Sequence, residues 1–222
     1  MEPAVCLLEF SSIARGIEAG DAMAKRAPLQ TVRAGTVHPG KYLVLVGGLT
    51  ADVEEAMQAG REAAGAALVD AVFLPDVHPD VVASIGGRRR EDDGEALGVI
   101  EAATAAATID AADAGVKGAR VTIRELRLAD DLGGKGYVLF GGEVAEVEAA
   151  VAYGSARIAA GGHEVARVVI SQLDAEMREN LAAEPGFGGR VGGVDKPDTN
   201  GVPAEIVPPR GRPLPGSGVA GG

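Results

Sequence analysis

The feature that most constrains this chain is that it repeats itself. Leu7-Leu8-Glu9 returns as Val99-Ile100-Glu101, and Glu18-Ala19-Gly20-Asp21-Ala22 returns as Asp110-Ala111-Ala112-Asp113-Ala114, with Lys25 and Lys117 keeping the same 92-residue offset. Gly40-Lys41, Gly47-Gly48 and Ala51-Asp52-Val53-Glu54 return as Gly134-Lys135, Gly141-Gly142 and Ala145-Glu146-Val147-Glu148 at an offset of 94. The two-residue slip falls in connecting sequence. A fold for these 222 residues must therefore be a fold for roughly 80 residues, used twice. The reading assigns 1–85 to the first domain, 86–95 to a charged linker, 96–184 to the second domain and 185–222 to a tail.

Each copy reads strand, helix, strand, strand, helix, strand. Val5 to Phe10 is the first strand, after which Ser11 or Ser12 can cap a helix. The apolar stripe expected to face the core on that helix is Ile13, Ile17, Gly20 and Ala24, echoed by Ala105, Ile109, Ala112 and Val116. Two strand-like runs, Thr31 to Thr36 and Lys41 to Val46, bracket His38-Pro39-Gly40; Arg120 to Leu128 and Lys135 to Phe140 bracket Asp131-Leu132-Gly133-Gly134. A second helix follows each hairpin, its inner face set by Val53, Ala56, Met57, Gly60 and Ala64, and by Val147, Ala150, Val151, Gly154 and Ile158. Val69 to Leu74 and Val165 to Ile170 close the copies. This order is the split-βαβ, ferredoxin-like arrangement: an α+β fold with an antiparallel sheet and helices on one face. Beyond Pro185, Gly and Pro supply 18 of 38 residues, too little apolar material to offset the entropy of ordering, so a disordered tail is expected.

The chemistry-bearing residues exclude more than they suggest. With 21 Lys+Arg against 32 Asp+Glu the net charge is −11, which offers little to nucleic acid or an anionic membrane surface. No apolar run suits a leader or a spanning helix, and Cys6 is the single cysteine, so a cytoplasmic protein is expected. His38, His78 and His163 lie far apart in sequence without metal-ligand spacing. The Gly-Lys pairs are followed by Tyr42 and Gly136, where a phosphate loop needs Ser or Thr. Neither an enzyme nor a metal or cofactor site is expected. Acid pairs such as Asp130-Asp131 are expected on solvated surface. The hairpin turn remains, because it recurs in both copies with a different tip; Pro39 fixes one backbone angle and Gly40 frees the next, which makes a stiff projection.

Taken together, Leu8 to Gly16, the segment Ala19 to Lys25 with its echo Ala111 to Lys117, and Pro39-Gly40-Lys41 ahead of Tyr42 to Gly48 resemble the tandem-domain, trimer-forming shell proteins of bacterial microcompartments. The resemblance spans both copies. It implies a structural protein of the microcompartment shell: a homotrimer forming a flat pseudohexameric tile among other shell proteins, hexamers and pentamers. A central pore for small metabolites would be lined by His38, Pro39, Gly40, Leu132, Gly133 and Gly134. It places Lys25 and Lys117 at the tile edges. Some relatives hold an iron–sulfur cluster on a cysteine at the pore position; His38 stands there in this chain, so no cofactor is implied. Turn amides would add positive potential to the pore, as would Lys41 if it faces the lumen, favouring anionic or polar permeants. The alternative that the fold leaves open is a tandem regulatory protein binding small molecules.

Overall fold

The computed structural model describes residues 4–91 and 94–183; the tail from Pro185 lies outside them. The first copy comprises β1 (Ala4–Phe10), α1 (Ile13–Arg26), β2 (Thr31–Val37), β3 (Lys41–Gly48), α2 (Thr50–Ala64) and β4 (Leu68–Leu74). The second comprises β5 (Ala96–Ala102), α4 (Ala105–Gly118), β6 (Thr122–Leu128), β7 (Gly136–Gly142), α5 (Val144–Ala159) and β8 (Glu164–Ile170). Each forms a four-stranded antiparallel sheet, ordered β2-β3-β1-β4 and β6-β7-β5-β8. The expected order of elements holds in both. Two short helices that periodicity had not indicated, α3 (Pro79–Ile85) and α6 (Ala175–Ala182), follow the closing strands.

Strand alternation decides which side chains reach the helices. In β1 the residues Ala4, Cys6, Leu8 and Phe10 point to one face, where they join Ala19 and Met23 of α1 and Val53, Ala56 and Met57 of α2. Burial pushes the Cys6 thiol up to about 12, leaving it inert at neutral pH. The second helix of each copy buries the residues expected of it. Close approach explains its glycines: a Cβ at Gly60 would lie 2.6 Å from Leu8 Cδ1, and one at Gly154 2.7 Å from the Ala111 carbonyl oxygen.

The stripe on α1 is a correction. Gly16, Ala19 and Met23 face the core, with Ser12 as the cap, whereas Ile13 and Ile17 point outward. The ring of Tyr42 fills the place where a larger residue at 16 would sit, a Cβ there meeting it at 2.6 Å. The matching stripe on α4 is buried as expected, but so is most of that helix. The difference is the neighbour: α4 packs against β4 and β1 of the first copy, and α3 packs against β6 of the second. One apolar cluster therefore runs from Ile100, Ile109, Ile123 and Phe140 through the seam to Val5, Leu7, Val72, Leu74 and Val81.

Candidate functional site

The two hairpin turns meet. His38 and Asp130 are exposed, with His38 Nδ1 3.5 Å from Asp130 Oδ1 and 3.8 Å from Asp131 Oδ1. Gly134 is packed beneath the first turn, so that a Cβ on it would stand 3.2 Å from both Pro39 Cδ and Lys41 Nζ. Gly40 (φ +95°) and Gly133 (φ +64°) turn the chain in the left-handed region that glycine tolerates. Leu132 is half-buried. The expected turn residues are thus brought to one place in the chain, together with an acid pair that sequence reasoning had consigned to ordinary surface.

Lys41 is paired rather than free. Its Nζ lies 2.5 Å from Oε1 of Glu9, a wholly buried carboxylate on β1. The other oxygen, Oε2, accepts a hydrogen bond from the backbone N–H of Ala105 at 2.8 Å, at the first residue of α4. A carboxylate at a helix N-terminus is favoured by the amides exposed there and by the helix dipole. In the second copy Lys135 Nζ is likewise 2.5 Å from Glu101 Oε1.

The lysines expected at an edge differ in their surroundings. Lys25 is exposed and pairs with Asp21 at 2.6 Å, one helical turn back. Lys117 pairs with the buried Asp113 at 2.7 Å and donates to the carbonyl of Asp76 across the seam. Asp113 also accepts from the backbone N–H of His78 at 2.8 Å. Asp70 gathers further polar contacts across the seam: Thr104 Oγ1 donates to its Oδ2 at 2.5 Å, and His163 Nε2 lies 3.7 Å from the same oxygen. Within the second copy Arg157 grips both oxygens of Asp110. Burial raises the Asp110 pKa against the opposing pull of Arg157.

Each half of this seam recurs on the outside of the chain. Ile17 is 54% exposed where its counterpart Ile109 is fully buried, and Val168 is 48% exposed where Val72 is 5% exposed. Val32 stands opposite Val46 as the buried Ile123 stands opposite Phe140, yet Val32 is open. Met177, third residue of α6, is exposed, while Val81, third residue of α3, is buried. The open half on the second copy borders a cavity of about 600 Å³ lined by Leu97, Val99, Glu101, Leu132, Lys135 and Tyr137, among others. No signal in one isolated sequence tells an apolar residue facing its own core from one facing another surface.

Among the described residues no group of three His, Cys, Asp or Glu is placed to hold a metal, and no helix is long and apolar enough to cross a membrane.

The BMC domain family matches this chain twice, over residues 4–77 and 96–173. The bacterial microcompartment shell protein PduT of Citrobacter freundii is 39% identical over 170 residues, which cover 77% of this chain and 92% of that protein. The crystal structure of a microcompartments protein from Desulfitobacterium hafniense superposes with a TM-score of 0.72 at 38% identity, covering 81% of this chain and 99% of that one. The fused permuted hexameric shell protein of the RMM microcompartment shares the fold, with a TM-score of 0.52 at 22% identity over 71% of this chain and 84% of its own. A structural role in the shell, alongside other shell proteins and without enzymatic activity, follows from that kinship and displaces the regulatory alternative. With two BMC domains in tandem, each a four-stranded sheet carrying its helices, the chain belongs to the bacterial microcompartment shell proteins.

Proposed function

We propose that three copies close head to tail into a ring of six BMC domains, a homotrimeric shell tile with the two kinds of turn alternating around its axis. The observation that carries this reading is the uncovered seam. The surface formed by α1 and β2 is the counterpart of the buried surface formed by α4 and β6, and the β8 and α6 surface is the counterpart of β4 and α3. A head-to-tail contact either closes or runs on without end. Three chains with one covalent and one open seam each satisfy every surface in a six-domain ring.

His38, Pro39, Gly40, Leu132, Gly133 and Gly134 then line a pore for small metabolites. Its rim is acidic: Asp130 and Asp131 stand beside His38, while Lys41 and Lys135 are held by Glu9 and Glu101. That charge distribution favours neutral polar or cationic permeants over anions.

Lys25 and Lys117, at equivalent places beside the open and the buried seam, serve as tile-edge contacts to neighbouring shell proteins. Replacing both with Ala is expected to leave rings intact and to abolish extended sheets under the electron microscope. Lys25 forms its pair on exposed surface, where the loss to the fold is within about 1 kcal/mol; Lys117 leaves the buried Asp113 without its counter-charge at a cost of about 2–3 kcal/mol, so the variant is compared with the parent well below its melting temperature. Sheets forming as readily as in the parent would make these lysines ordinary surface residues.

A further inference from the structure

Glu9 does something that its position in a strand does not require. One carboxylate joins the seam to the hairpin, with α4's first amide on Oε2 and Lys41 on Oε1. Lys41 is the residue directly after the His38–Gly40 turn, and its head packs over Gly134 of the other turn. Docking the two copies and fixing the first turn are therefore one event.

Glu101 occupies the same register in the second copy, opposite Tyr137 as Glu9 is opposite Leu43. Its Oε1 holds Lys135, the residue one step before β7 and just past the turn containing Leu132 and Gly133. The difference lies at the other oxygen. The amide that Glu9 accepts belongs to α4, whose counterpart α1 faces outward, and Glu101 instead stands partly exposed in the cavity with Leu132 and Lys135. α1 begins as α4 does, on a hydroxyl cap: Ser12 accepts from Arg15 N and Thr104 from Ala107 N. Ile13 N is thus the equivalent of Ala105 N.

We infer that Glu101 is a positioning residue that couples closure of the ring to the second pore turn, by accepting the Ile13 N–H of a neighbouring copy on Oε2 while holding Lys135 on Oε1. The occupant of the cavity is the start of α1 from that copy. Two arguments select it: the same surface of the first copy already receives the equivalent helix, and the exposed Ile13 and Ile17 match the apolar Leu97, Val99 and Tyr137 around the carboxylate. Docking removes Glu101 from water, which strengthens its attraction for Lys135 and for the helix amides together. An unassembled chain then has its first turn fixed and its second turn loose. The inference rests on the three-chain ring proposed above.

The test is hydrogen–deuterium exchange of the full chain at concentrations on either side of assembly, with sedimentation reporting the oligomer in the same samples. Protection of amides 129–136 is expected to rise at least tenfold on assembly, while amides 40–42 stay protected throughout. Glu101→Gln keeps a neutral acceptor, so it should still assemble, about tenfold more weakly, and its second turn should exchange in rings nearly as fast as in single chains. Lys135→Met should assemble more weakly than the parent, because the coupling is reciprocal, and lose the same protection. Equal protection of the second turn in single chains and rings, or full protection in Glu101→Gln rings, overturns the coupling and leaves the ring standing. A parent chain that stays monomeric at every concentration overturns the ring and the coupling with it.

Discussion

Ile17→Asp should leave the chain folded and stop it assembling. In the single chain the side chain at 17 is more than half exposed and is not among the α1 residues buried in the core, Gly16, Ala19 and Met23, so a carboxylate there is solvated. In the ring the same position occupies the place of Ile109, which is fully buried between the copies. Burying the charge among Val168, Ile170 and their neighbours costs about 3 kcal/mol per seam without a partner, on the order of a hundredfold in that seam's dissociation constant. Three open seams must close at once, so the expected result at micromolar concentration is a monomer of native circular dichroism and unchanged melting in dilute solution. Sedimentation velocity checks it. Ile17→Leu, which retains the apolar contact, should assemble as the parent does.

The second large effect falls on the covalent seam. Asp113 is buried and satisfies two groups from across or along the seam, the His78 amide and the Lys117 ammonium. Asp113→Ala leaves a backbone N–H without its acceptor and a lysine without its counter-charge. The expected loss is about 2–3 kcal/mol, which for a folded unit of this size lowers the melting temperature by roughly 5–10 °C. Asp21→Ala, the same substitution in the other copy, removes only an exposed i,i+4 pair with Lys25 and should shift the melting of the single chain by about 1 °C or less. A thermal melt of both variants in dilute solution shows the asymmetry directly.

That asymmetry also marks what was legible in the sequence. The order of elements could be read because the repeat supplied two independent samples of each one: a strand-like run at Thr31 gains weight when Arg120 to Leu128 repeats it. The α2 and α5 faces could be read because those helices pack within their own copy, on its sheet and its first helix. The α1 stripe could not. Ile13 and Ile17 are the larger apolar residues and so dominate a periodicity argument, but the core takes Gly16, Ala19 and Met23 because Tyr42 and the tight α1–α2 packing leave no more room. Glu9 interrupts the apolar run of the strand Val5 to Phe10, and nothing in the sequence marks it as buried; it is among the most buried side chains of the molecule, because α4 and Lys41 converge on it from elements far away in the chain. Asp130 and Asp131 read as solvated acids, and they are exposed, but only the folding of the two turns together brings His38 beside them.

If the open surfaces of this chain are two halves of one seam, single-particle electron microscopy of the unmodified protein, with its mass measured in the same buffer, should show a three-chain particle in which six similar domains form a ring with the His38 and Leu132 turns nearest the axis. A stable monomer, or a closed assembly in which Ile13 and Ile17 remain exposed and the turns lie on the outer perimeter, would contradict it.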